Sequence, residues 1–283
     1  AGEDLAAGED LAAGEDAGAA DAAIRLAVIG RPNAGKSTLI NRLLGDERLL
    51  TGPEAGITRD SIALDWSWRG RAITLIDTAG MRRKARVAEK LEKLAVSDGL
   101  RALDFAHVAV LAVDAIQGLD KQDLHLADRA VAEGRAPVIA LTKWDAVPDG
   151  PAVLQAVRDR LQRSLPQVKG LPVVTVSALS GRGVPALLDA VLRAYDLWTT
   201  KVATPDLNQW LAETTEARPP PMVKGRRPRI KYASQPKARP PTFVLFCTRP
   251  QDLSDSYLRY LENALRHDFD LPGVPLRLQV RKS

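Results

Sequence analysis

The chain has 283 residues, 45% hydrophobic and 27% charged, enough apolar content for one large domain or two smaller ones with real cores. No apolar run reaches the roughly eighteen residues of a membrane span, and the acidic start is unlike a secretory leader. Its one cysteine, Cys247, rules out an internal disulfide framework and fits a reducing, cytoplasmic setting. The net charge of +5 is unevenly placed: residues 1–23 carry seven acids and no Lys or Arg, and residues 217–249 carry nine Lys or Arg and no acid.

Residues 1–18 repeat Ala-Gly-Glu-Asp with a period of six, too short and polar for a core, so residues 1–23 read as an acidic flexible linker. From Ile24 onward apolar runs alternate with helical patterns. Ile24–Ile29 reads as a buried strand and Lys36–Leu44 as a helix. Ser61–Trp68 and Arg71–Ile76 form a hairpin around Arg69-Gly70, with Trp66 and Trp68 as packing residues. Val87–Ser97 is helical. Then strands at His107–Val113, Pro137–Leu141 and Pro172–Val176 alternate with helices at Lys121–Glu133, Pro151–Leu165 and Val184–Trp198. This order predicts a mostly parallel sheet with helices on both faces, and ligands at the carboxyl ends of its strands. After Trp198 the composition turns Pro-rich and basic. A helix at Asp206–Glu213, a strand near Arg229–Tyr232, a strand at Thr242–Thr248, a helix at Asp255–Arg266 and a strand at Leu276–Arg281 make a small α/β unit, with Cys247 buried in its middle strand.

Four short motifs fall where strands end. Gly30-Arg31-Pro32-Asn33-Ala34-Gly35-Lys36-Ser37, continued by Thr38, matches G-x-x-x-x-G-K-[ST] between a strand and a helix. Its glycines let backbone N–H groups turn toward phosphate oxygens, and the helix N-terminus adds positive potential. Lys36 is suited to the β- and γ-phosphates and Ser37 to Mg²⁺. Asp77-Thr78-Ala79-Gly80 follows the second hairpin strand: Asp77 is placed to hold Mg²⁺ through water, and Gly80 offers an unhindered N–H to a γ-phosphate. Between them Leu50–Asp60 is a polar loop, in which Thr58 is a weaker candidate for closing over Mg²⁺. Thr142-Lys143-Trp144-Asp145 follows the next long strand. Asp145 can accept from guanine N1–H and the 2-amino group, which adenine does not offer, and the Lys143 stem can cover the base. Ser177-Ala178-Leu179 follows the last strand, where a backbone N–H can meet guanine O6. The order of the four points to a guanine nucleotide.

These residues, with Gly56-Ile57-Thr58-Arg59-Asp60, the string Asp77 to Lys84 and the C-terminal Asp255 to Leu261, resemble the second GTPase domain and C-terminal KH-like domain of the Der (EngA) family over residues 24–283. The resemblance implies a P-loop GTPase domain over residues 24–200 and a KH-like domain over 201–283. It implies a GTP-hydrolysing switch in assembly of the large ribosomal subunit, through ribosomal RNA contact. It also implies a further GTPase domain on the N-terminal side, which the acidic stretch would join. Thr142 stands where the family usually has Asn. Met81 stands where Ras-like enzymes place a water-orienting Gln, so the catalytic set reads Lys36, Thr58, Gly80 and Asn33. Asn33 matches the residue that holds K⁺ in some relatives; the alternative is a turn Asn that tolerates a left-handed conformation. The basic residues Lys224, Arg226, Arg227, Arg229, Lys231, Lys237 and Arg239 read as a phosphate-binding surface or a solvated loop. No Gly-x-x-Gly loop follows in residues 242–283, so RNA contact is expected to be electrostatic or by shape, or the unit docks on the first one. A switch enzyme and a nucleotide-binding module with negligible turnover both stay open.

Overall fold

The computed structural model describes residues 23–45, 64–76 and 102–283. The acidic stretch through residue 22, Thr58 and its loop, Asp77-Thr78-Ala79-Gly80, Met81 and the helix expected at Val87–Ser97 lie outside the described residues.

The first sheet runs β2-β3-β1-β4-β5-β6. It is built from β1 (Ile24–Ile29), β2 (Leu64–Trp68), β3 (Arg71–Leu75), β4 (Val108–Asp114), β5 (Ala136–Thr142) and β6 (Val173–Thr175). Among the described residues of this sheet only the β2–β3 hairpin is antiparallel; β1 pairs parallel with β3 and β4, and β5 with β4 and β6. Every residue of β4 and β5 is buried, as strands covered on both faces must be. Side chains alternate between faces. Leu26, Val28, Val110, Val138 and Ala140 join one core with Leu39, Ile40 and Leu43 of α1 (Lys36–Gly45) and with Leu187, Leu188 and Val191 of a later helix. Ala27, Ile29, Leu111, Val113, Ile139 and Leu141 face a second core, with Leu126 and Ala130 of α2 (Lys121–Ala132) and Val157 and Leu161 of α3 (Gly150–Ser164). α2 starts at a reciprocal cap: Asp120 and Asp123 each take a backbone N–H of the other's turn. The later helix, α4 (Val184–Trp198), buries positions 184, 187, 188, 191, 195 and 198, the spacing of one helical face.

The second unit comprises α5 (Thr204–Ala217), β7 (Ile230–Ala238), β8 (Pro241–Cys247), α6 (Asp255–Asp268) and β9 (Arg277–Lys282), with sheet order β7-β8-β9. Cys247 is buried, as expected. β7 is longer than the expected strand near Arg229–Tyr232 and carries Pro236. It is an edge strand with register shifts on either side of its middle, and such a strand can hold a proline that donates no hydrogen bond. Asn208 of α5 gives Ala233 a donor and an acceptor, 2.9 and 2.8 Å away, occupying backbone groups that an edge strand leaves unpaired.

One apolar cluster runs from β1 and α4 through Trp198 into Leu207, Trp210, Phe243 and Leu245, so the second unit docks on the first. Burying a side chain the size of Phe243 is worth about 1.5–3 kcal/mol. Glycines allow a close seam. A Cβ on Gly134 would meet Pro240 at 2.9 Å, and one on Gly170 would meet Pro272 at 2.8 Å. Gly273 N–H donates to the Lys169 carbonyl (2.7 Å), and buried Arg266 donates to Gln167 (2.8 Å) as well as to Leu271 and Val274 in its own unit. Gln235 holds the connection by accepting from Val202 N–H and donating to the Thr200 carbonyl. Trp66 and Trp68 pack on the first core, as expected. Among the described residues no helix is long and apolar enough to cross a membrane.

Candidate functional site

Residues 30–35 turn from β1 into α1 at the carboxyl ends of the parallel strands. Gly30 has φ +148°, and a Cβ there would lie 2.4 Å from the Ala112 carbonyl oxygen, so no side chain fits beside β4. Asn33 and Gly35 take left-handed φ values of 60° and +80°. The first turn of α1 contains no acid, so the positive end of the helix faces the loop without a carboxylate of its own. Lys36 bends back over this turn and its Nζ donates to the carbonyls of Gly30 (2.9 Å) and Arg31 (2.5 Å). Ser37 and Thr38 follow on the same turn, both exposed.

The Arg31 side chain points away from this cradle. It donates to Asp123 (3.0 Å), Asp120 (3.3 Å) and the Gly118 carbonyl (3.3 Å), and the Asp123 side chain is wholly buried. Arg31 therefore ties the loop to the cap of α2 and leaves only its backbone N–H for the cradle. Pro32 pre-sets one φ, and Ala34 is buried beneath the turn.

Thr142 ends β5 against this loop. Its hydroxyl lies 2.8 Å from the Ala34 carbonyl and 3.1 Å from the Val113 carbonyl, and it is buried. A Cβ on Gly35 would meet Thr142 Oγ1 at 3.3 Å, so the two residues are sized for each other. The hydroxyl thus performs a tethering task between strand end and loop. Lys143 follows in a left-handed conformation (φ 55°), its ammonium 2.7 Å from Asp114. Burial works against the Asp114 charge, but hydrogen bonds from Lys143 and from the backbone N–H groups of Ile116 and Gln117 outweigh it and hold the carboxyl below the usual range. Asp145 sits exposed in the short turn Trp144–Ala146, its carboxylate open to a ligand.

The Ser177-Ala178-Leu179 turn lies beside it, linked by Trp144 N–H to the Val176 carbonyl (3.3 Å). Ser177 is buried and its hydroxyl accepts from Ser180 N–H (3.2 Å), while Leu179 is 73% exposed. Arg42 of α1 donates to the carbonyls of Ala178 (2.8 Å) and Leu179, fastening this turn to the helix that begins at Lys36. A Cβ on Gly183 would fall 2.0 Å from the Thr175 carbonyl, so the chain can leave the turn only through glycine.

The structure thus brings Gly30 to Thr38, Thr142 to Asp145 and Ser177 to Leu179 to one edge of the sheet. Arg42, Asp114 and Asp123 were missed. The register partner of Asp114 is Thr142, so the paired ends of β4 and β5 held the signal for that acid; no local pattern marks Arg42.

The basic residues divide. Lys224 and Gly225, both at positive φ, form a tight turn closed by Val223 and Arg226. Lys224, Arg226, Arg227, Arg229, Lys231 and Lys237 are exposed. Arg227, Arg229 and Lys231 line a groove of about 890 Å³ with Asn208, Leu211 and Pro220. Arg239, expected on the same surface, is half-buried at the seam, where its charge acts on His107. His107 is buried against Tyr195 and Trp198. Burial first, then Arg25, Arg239 and Arg135, pushes its pKa down to about 4.

Comparison with known proteins gives two family matches. Residues 25–143 match the 50S ribosome-binding GTPase family, and residues 201–281 match the KH-domain-like family of EngA bacterial GTPase enzymes, C-terminal. The chain is 56% identical to GTPase Der of Azorhizobium caulinodans over 259 residues, covering 92% of this chain and 57% of that protein. It is 55% identical to GTPase Der of Mesorhizobium japonicum over 260 residues, covering 92% and 54%. It therefore spans about half the length of the curated relatives it matches. Era from Aquifex aeolicus, solved with GDP and aluminium fluoride, is similar at 21% identity and a TM-score of 0.45, covering 92% of this chain and 94% of that one, a likeness too slight to argue from.

Proposed function

Since the chain belongs to the Der (EngA) family of GTPases, we propose that it binds and hydrolyses GTP, and that its nucleotide state controls contact with ribosomal RNA during assembly of the large subunit. The observation that carries the reading is the Thr142 hydroxyl within reach of the Ala34 and Val113 carbonyls, which ties the phosphate loop to the turn that bears Asp145.

Backbone N–H groups of Arg31 and residues 33–36, Pro32 having none, take the phosphate oxygens, and Lys36 exchanges the carbonyls of Gly30 and Arg31 for the β- and γ-phosphates. Asp145 accepts from the guanine edge, and Lys143, its ammonium anchored on Asp114, lays its stem along the base. The glycine cradle and the hydroxyl of Ser37 at a helix start fit a nucleotide-bound Mg²⁺. Ser37, Asp77 and Thr58 would hold it, and it supplies positive charge to the phosphates when bound. The N–H of Gly80 reads the γ-phosphate. Met81 carries no group to orient water; Asn33, exposed in the loop, would help hold a K⁺ ion, which would supply the compensating charge.

The test is phosphate release from GTP and from ATP, in K⁺ and in Na⁺, with and without large ribosomal subunits. GTP-selective release raised by K⁺ or by subunits is expected. Equal rates in the two salts would remove the role of Asn33, and tight binding without release under every condition would replace the enzyme by a binding module.

A further inference from the structure

The second unit's sheet has two unlike faces. Phe243, Leu245, Leu278 and Val280 point toward its helices and join the core. The opposite face is read from the pairing: Tyr232 opposite Phe246 opposite Arg281 in one row, Ser234, Val244 and Gln279 in the next, and Lys237, Thr242 and Arg277 in a third. The third row abuts the first unit, since Arg277 reaches the Ala132 carbonyl (3.4 Å) and Pro240 sits against Gly134. The first row is open. Tyr232 is 46% exposed and stacks on Phe246 with ring centroids 4.2 Å apart and planes 14° from parallel.

An exposed aromatic stack is costly on a surface with nothing to cover it. Here Tyr232 lies on the edge strand β7 and Phe246 on the central strand β8, and Tyr232 is the more exposed member of the pair. The three strands carry Lys231, Lys237, Arg277, Arg281 and Lys282 and no acid. None of these five forms an ion pair among the described residues. Of the five, Arg281 shares the row of the stack, and planar apolar faces beside an unneutralised cation on acid-free strands suit a ligand with planar rings on a polyanionic backbone.

We propose that Tyr232 and Phe246, flanked by Arg281, form a stacking site for unpaired bases of an RNA strand, in addition to the charge contacts of Lys224 to Lys231. The site supplies what an electrostatic surface lacks, a preference for single strands over duplex. It rests on the reading that the second unit contacts RNA. The row is four residues along β8 from the seam, about 13 Å at strand rise, so RNA bound there lies close to the nucleotide-binding unit.

The test uses the whole chain and fluorescently labelled oligoribonucleotides: a single-stranded 12-mer, its perfect duplex, and an abasic strand of the same charge, each titrated over a range of salt. Tyr232→Ala and Phe246→Leu are expected to weaken single-strand binding about tenfold while leaving the slope of log affinity against log salt unchanged. Tyr232→Phe is expected to retain binding, and ultraviolet crosslinking of the natural chain is expected to map to Tyr232 or Phe246. Arg229→Ala should instead lower the salt slope. If the natural chain binds single strand, duplex and abasic strand equally and Tyr232→Ala binds like it, stacking is overturned while RNA contact stands. No binding to any RNA even at low salt would overturn both, and polyglutamate competing as well as the 12-mer would replace RNA by an acidic polypeptide. Thermal unfolding of each variant separates a lost contact from a lost fold, and a destabilised Phe246→Leu leaves the more exposed Tyr232→Ala to decide.

Discussion

The two basic regions of this molecule treat their charge in opposite ways. Around the glycine loop nearly every charged side chain is engaged by protein: Arg31 with Asp120 and Asp123, Lys143 with Asp114, Arg42 with two carbonyls. On the second unit Lys224, Arg226, Arg227, Arg229 and Lys231 stand exposed, with no ion pair among the described residues. A site that must recognise one small molecule fixes its groups before the ligand arrives, which lowers the cost of binding. A surface for a polyanion gains by releasing the counterions that gather on free charge. The same residue types therefore serve shape in one region and net field in the other.

The sharpest way to break this contrast is to fill the cradle. Gly30→Val drives a side chain into the Ala112 carbonyl and is expected to reduce nucleotide affinity more than 100-fold, measured by calorimetric titration, while leaving RNA binding in the absence of nucleotide unchanged. Thr142→Ala is expected to cost about tenfold in GTP affinity, since it strands the Ala34 carbonyl, an effect of about 1–3 kcal/mol. Replacing Arg226, Arg227 and Arg229 together by Ala is expected to reverse the pattern: GTP affinity unchanged, RNA affinity lower, and the salt slope reduced by about three.

The smallest expected effect on nucleotide or RNA binding lies at the seam, where the readout is stability. Folding depresses the His107 pKa from 6.5 to about 4, so between these values the unfolded chain binds the proton more readily. The stability His107 contributes is full above pH 6.5 and is lost as the pH falls toward 4. The melting temperature should drop through that window by several degrees, since a displacement from 6.5 to about 4 corresponds to about 3 kcal/mol when complete, and His107→Phe should flatten the drop.

Much of the first unit was legible because its strands announce themselves. Val108–Asp114 and Ala136–Thr142 are unbroken apolar runs, buried on both faces, and each ends on a residue of the site. The glycine loop was legible because backbone geometry and ligand chemistry demand the same residues. What stayed hidden came from contacts distant in sequence. Arg42 meets Ala178 across 136 residues, and nothing in Lys36–Gly45 sets it apart from a solvated helix position. β7 was underestimated because Lys231, Pro236 and Lys237 look like loop chemistry, whereas an edge strand tolerates all three. Arg239 was grouped with its basic neighbours because only the docked units show that it faces His107. The stacked pair was invisible for the same reason: Tyr232 and Phe246 become neighbours only through the β7–β8 register.

Three separated turns on a preformed loop assemble a site suited to guanine. Equilibrium titration of the chain with GDP and with ADP, repeated on Asp145→Ala, tests it most directly. GDP is expected to bind at least 100-fold tighter than ADP, with most of that preference lost in the variant. Equal affinity for the two nucleotides, or a preference that survives removal of the Asp145 carboxylate, would contradict it.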